Sequence, residues 1–198
     1  MYPREGKTLQ EVGLLAQTAL LVEASPPRAI RAMVEKWVPS LPFVSTFMAR
    51  CGQIVGTPEN CRRLLNSGEA IVVFPEGVRG LNKLYSQRYQ LQEFGLGFMR
   101  LALETDTPIV PVAVVGAEEQ AMALADLKPV AKLFGFPALP ITPTILPFPL
   151  PSRYHIHFGQ PMRFSGSPND DDAELEKKVK QVRGTIQAML NQGLRERQ

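Results

Sequence analysis

A carboxylate and a guanidinium, Glu76 and Arg79, stand within the heptapeptide Phe74-Pro75-Glu76-Gly77-Val78-Arg79-Gly80. A guanidinium grips a phosphate through two parallel N–H···O bonds, and a nearby carboxylate either orients it or accepts a ligand hydroxyl. Gly77 and Gly80 permit left-handed or closely approached backbone around the pair. The same spacing also suits a plain turn in which Glu76 and Arg79 simply pair with each other.

The flanking elements decide where those groups stand. Residues 70–74 are a continuous apolar run of strand length, as expected in a sheet covered on both faces. Pro75 has no N–H to donate to the ladder and ends the strand. Ligands of open α/β sheets bind at the carboxyl ends of the strands, which is where Glu76 and Arg79 follow.

Other elements are read from period and punctuation. Residues 8–23 have apolar side chains at helical spacing, and Pro26-Pro27 opens a second helix running through Trp37. Residues 41–51 read as a short third helix. Thr57-Pro58-Glu59 combines a cap, a first-turn proline and an acidic residue, and starts a helix ending near Ser67-Gly68. A helix over 98–104, a buried strand over 109–115, a helical pattern over 118–133 and an edge strand over 154–158 follow. The last helix is introduced by residues 169–172, with Leu175, Val179, Val182, Ile186 and Met189 on one face. Strands alternating with helices predict an α/β fold with a mixed, largely parallel central sheet flanked by helices, as a single domain over 1–198.

The 198 residues suit one α/β domain. Apolar residues make up 44% and charged residues 21%, a globular composition. A net charge of +3 and a pI near 9.0 suit a phosphate-bearing or anionic-membrane partner. The cations are scattered, which argues against nucleic acid. Cys51 and Cys61 fit neither a metal site nor a disulfide framework and read as small apolar residues of a reducing compartment. No secretory signal is expected, because Arg4, Glu5, Lys7 and Glu11 interrupt the start. Five prolines within 133–150 exclude a spanning helix there, so any membrane contact is expected to be peripheral and the location cytoplasmic.

The heptapeptide resembles the FPEG-x-R motif of the glycerol-phosphate and lysophosphatidate acyltransferase superfamily. The Val-Pro strand block at 109–114, and the joining helix of Gly97-Phe98-Met99, Ala102 and Thr107-Pro108, are also similar to that superfamily. So are Leu41-Pro42-Phe43, Gly52, Pro58-Glu59-Asn60 and the turn Phe158-Gly159-Gln160-Pro161; the likeness runs over about 12–190 in consistent order. The resemblance implies transfer of a fatty acyl group from an acyl thioester to a hydroxyl of a lysophospholipid or glycerol-phosphate-like acceptor. The donor is acyl-CoA or an acyl-carrier protein, and no cofactor or metal is implied. Glu76, Gly77 and Arg79 inherit the acceptor-positioning role.

The superfamily's His-x-x-x-x-Asp pair, whose His removes the hydroxyl proton, has no counterpart. No His precedes His155 and no Asp precedes Asp106; Val12 stands where the Asp is expected, and residues 1–11 are unlike the family. No catalytic residue is therefore assigned. Two readings stay open: an altered or shortened N-terminus, or a non-catalytic relative that still binds lipid. A third class, an α/β hydrolase or nucleotide-binding enzyme, lacks its G-x-S-x-G, G-x-x-x-x-G-K-[ST] or G-x-G-x-x-G signature. His155 and His157 read as a solvated strand face with Ile156 turned inward. The segment 52–57 carries no Arg where the family tends to have one, which leaves Arg50 and Arg62 as neighbouring cations. In the apolar loop, Phe136, Ile145, Leu146 and Phe148 are expected at a bilayer interface or an acyl groove, with burial in the core as the alternative.

Overall fold

A computed structural model describes residues 30–34, 46, 50–77, 87–120, 125–126, 140–141 and 153–197. Among them Ile30–Val34 (β1), Ile54–Val55 (β2) and Ala70–Val72 (β3) form a parallel sheet in the order β2-β1-β3. Met33 lies opposite Ile54, and Ile30 opposite Ala70. β1 corrects the helix expected after Pro26-Pro27. Ile30, Ala32 and Val34 are buried in alternation with half-buried Arg31 and Met33, the two-residue period of a strand. β3 is shorter than the expected run, and its residues are only half-buried.

Pro58–Asn66 (α1) carries the chain from β2 towards β3. Its start follows the cap chemistry legible in the sequence. Thr57 is extended and its Oγ1 accepts the Asn60 N–H at 3.2 Å, while Pro58 fills a first-turn position that has no intrahelical donor to lose. Asn60 Nδ2 also donates to Val55 O at 3.1 Å, which ties the helix to β2. Burial pushes the Cys61 thiol up from its ordinary pKa, and Sγ meets Met33 Sδ at 3.4 Å, so Cys61 packs as an apolar residue between α1 and β1.

Gly97–Glu104 (α2) matches its expected position and buries Met99 and Ala102. Val112–Val115 (β4) and His155–Phe158 (β7) pair antiparallel, with Val112 opposite Phe158 and Ala113 opposite His157. A single bridge between Ile109 and Met162 extends the ladder past Pro111, so the proline shortens the strand expected over 109–115. A Cβ on Gly159 would stand 2.7 Å from Pro111 Cγ and 3.0 Å from Met189 Sδ, and its absence lets the Phe-Gly-x-Pro turn close against the final helix. Ala117–Gln120 (α3) is helical, but the helical pattern expected over 118–133 does not hold at Ala125–Asp126 (β5), which pairs antiparallel with Pro140–Ile141 (β6).

Asp172–Glu196 (α4) packs on β4, β7 and α2. Its first half joins Leu175, Val179 and Val182 to Met99 of α2, and its second half joins Leu190 to Tyr89, Ala113 and Val115. Met99, Leu175, Val115 and Val182 are fully enclosed. The fold is α/β, with a parallel sheet and flanking helices. The helix expected over 8–23, most of that over 41–51, Arg79, and the loop with Phe136, Ile145, Leu146 and Phe148 lie outside the described residues; Thr46 and Arg50 are helical.

Candidate functional site

The chain leaves β3 and turns back at once. Gly77 N donates to Phe74 O at 3.0 Å, which closes a four-residue turn with Gly77 at φ 55°, a conformation that costs glycine little and other residues more. The turn sits at the carboxyl end of a parallel strand. Two of its polar contacts reach one segment: Glu76 Oε1 accepts the Gln92 N–H at 3.0 Å, and Pro75 O accepts the Gly95 N–H at 2.9 Å. Glu76 and Gly77 therefore share one turn, held by residues 92–95, and Glu76 is half-buried there.

The segment 89–92 is in turn held by α4. Gln187 Nε2 donates to Tyr89 O at 2.8 Å, Gln187 Oε1 accepts the Leu91 N–H at 3.0 Å, and Arg183 donates to Leu91 O at 2.6 Å. Beside this contact lies an open cleft of about 560 Å³ lined in part by Arg88, Tyr89, Glu119, Gln187, Asn191 and Arg197. Tyr89 anchors its wall. The buried residue has φ 60°, its N–H donates to Glu118 at 2.6 Å, and its hydroxyl donates to Glu119 at 3.0 Å while accepting the Gly116 N–H at 2.9 Å. Burial, with the Glu119 carboxylate beside it, pushes the Tyr89 phenol up to about 12. Burial alone would raise Glu119, but the two-pronged Arg197 guanidinium at 2.6 and 2.8 Å and the Tyr89 hydroxyl pull it below its usual value. Sequence reasoning missed this network. Tyr89 stands 30 residues from Glu119, and Arg197 stands 78 from it, so no local pattern joins them.

The remaining sequence-predicted residues fall elsewhere. Arg62 forms a two-pronged pair with Glu104 at 2.8 and 3.2 Å, which raises its pKa and ties α1 to α2. Arg50 is exposed. The histidine face is reversed from expectation. His157 pairs with buried Ala113 and turns against Gly193 of α4, whereas Ile156 lies with Val112, Val114 and Phe158 on the other face. His155 is exposed at the strand's start. Among the described residues no group of three or more His, Cys, Asp or Glu side chains is placed to hold a metal, and no helix is long and apolar enough to cross a membrane.

The chain is a member of the acyltransferase family, whose model matches residues 14–115. It is 39% identical over 189 residues to an uncharacterized protein of Mycobacterium leprae, covering 90% of this chain and 51% of the relative. It is 27% identical over 165 residues to a Gallus gallus protein described as a DGAT1/2-independent enzyme synthesizing storage lipids, covering 82% and 47%. The chain thus spans about half the length of these relatives. In fold it is similar to the crystal structure of PlsC, the 1-acyl-sn-glycerophosphate (LPA) acyltransferase of Thermotoga maritima. The TM-score is 0.50 over 83% of this chain and 56% of that one, at 18% identity.

Proposed function

We propose that the protein transfers a fatty acyl group from an acyl thioester to a hydroxyl of a lysophospholipid or glycerol-phosphate-like acceptor. Glu76, Gly77 and Arg79 receive the acceptor's polar headgroup. The observation that carries this reading is the tight Phe74–Gly77 turn at the carboxyl end of β3, within a chain of the acyltransferase family. Ligands of open α/β sheets collect at that end. Arg79 supplies the phosphate-gripping fork, and the Glu76 carboxylate, anchored on Gln92, holds the turn that precedes it in sequence. The donor is acyl-CoA or an acyl-carrier protein, and the membrane surface is the second partner, met by Phe136, Ile145, Leu146 and Phe148 of the apolar loop.

A second reading, a lipid- or phosphate-binding relative without turnover, is favoured by one observation. Of the two histidines in the sequence, His157 is packed against Gly193 of α4 and His155 is exposed at the start of β7. Incubation with palmitoyl-CoA and radiolabelled lysophosphatidate or glycerol 3-phosphate separates the two. Acylated product that disappears in Arg79→Ala supports the transferase. Acceptor binding that Arg79→Ala weakens, with no product, supports the binding module. Neither binding nor product defeats both. Vesicle flotation tests the surface partner, since Leu146→Asp with Phe148→Asp should release the protein from anionic vesicles, and unchanged flotation removes that loop from the proposal.

A further inference from the structure

We infer that Gln187 and Arg183 of α4 are positioning residues for the Phe74–Gly77 turn, acting through the segment 89–95. Their influence on acceptor binding rests on the proposed function; their influence on the turn does not.

The path is continuous in hydrogen bonds. The Gln187 carboxamide behaves as a one-residue strand partner: it gives its N–H to Tyr89 O and takes the Leu91 N–H, which matches the donor and acceptor spacing of an extended chain. Arg183 adds a charge-assisted bond to Leu91 O at 2.6 Å. The next residue, Gln92, passes its N–H to Glu76, and Gly95 passes its own to Pro75. The segment is thus clamped on one side by a helix and on the other by the turn. Arg183 and Gln187 lie one helical turn apart on half-buried positions of α4, whose neighbours Val182 and Leu190 are locked in the core. A rigid helix therefore fixes the segment, and the segment fixes the carboxylate. The loop-borne Glu76 gains the placement precision that catalytic and binding groups draw from regular elements.

Amide hydrogen exchange, residue by residue, tests the path without any activity. In Gln187→Ala the amides of Leu91, Gln92 and Gly95 should exchange faster by about tenfold, the scale expected for losing a hydrogen bond's net stabilisation, while the β4 amides stay protected. A purely local role for Gln187 would free Leu91 and leave Gln92 and Gly95 as in the parent protein, and that result overturns the inference. Gln187→Glu keeps the acceptor for Leu91 N and loses the donor to Tyr89 O, so it should give intermediate exchange and decides the matter should the alanine variant fail to fold. Titration with glycerol 3-phosphate supplies the second arm. Binding by the parent protein that weakens several-fold in Gln187→Ala extends the role to the acceptor. No binding by the parent protein defeats the acceptor reading alone, because the exchange data stand by themselves.

Discussion

The imidazole of His157 fills the space that a side chain on Gly193 would need: a Cβ built there would lie 2.7 Å from Nε2 and 3.0 Å from Val115 Cγ2. Strand β7 and helix α4 approach so closely because Gly193 adds nothing to the helix surface. Gly193→Ala should therefore destabilise the fold by about 1–3 kcal/mol despite alanine's better helix propensity, the usual cost of overpacking. Gly184, which has open space at the same atom, is the control: Gly184→Ala should stabilise by about 0.5–1 kcal/mol. Urea unfolding of both variants checks the opposite signs.

Tyr89 predicts an alkaline limit to stability. Its phenol is pushed from 10.0 up to about 12, so folding favours the neutral form. The stabilisation is complete below the unfolded value and is lost as pH rises from 10.0 through about 12, where the unfolded chain has released a proton that the native state keeps. Tyr89→Phe should flatten that fall, and at neutral pH should cost about 1–3 kcal/mol because the Gly116 N–H loses its buried acceptor. Thermal unfolding across the alkaline range, read beside tyrosinate absorbance, shows whether the two coincide.

Gln53 is 6% exposed, and neither polar atom of its amide has a hydrogen-bond partner among the described residues. An unpaired buried amide opposes folding, so Gln53→Met, of similar volume and without polar atoms, should stabilise by about 1 kcal/mol. A denaturation midpoint that moves down instead would show that the amide serves the native state.

Glu76 separates anchoring from charge. Glu76→Gln keeps an oxygen for the Gln92 N–H, so stability should change little, whereas Glu76→Ala should lose about 1 kcal/mol with that bond. If the negative charge also serves the acceptor, both variants lower acceptor affinity alike. Stability and binding measured on the same two proteins tell anchoring and charge apart.

The parts legible in the sequence were those that state their own chemistry. Thr57, Pro58 and Glu59 write the start of α1 into consecutive residues, and α4 repeats its apolar positions long enough for the helical period to stand out. β1 was misread because five residues of Ile-Arg-Ala-Met-Val fit either period, and only the neighbouring strands on both edges decide between them. The turn at Glu76 was legible from Pro75 and Gly77, but its anchor on Gln92 was not, since glutamine contributes only its backbone there. The Tyr89, Glu119 and Arg197 network and the Gln187 clamp depend on residues brought together by α4, and no spacing announces them.

The stretch that identifies the family ends at Val115, a side chain wholly covered in part by a helix that begins at Asp172. A fragment trimmed to that stretch would keep the signature and lose its roof, with Met99 and Val115 both opened to water. The signature and the folding unit are thus different lengths of chain, and excision of the first should yield an insoluble polypeptide.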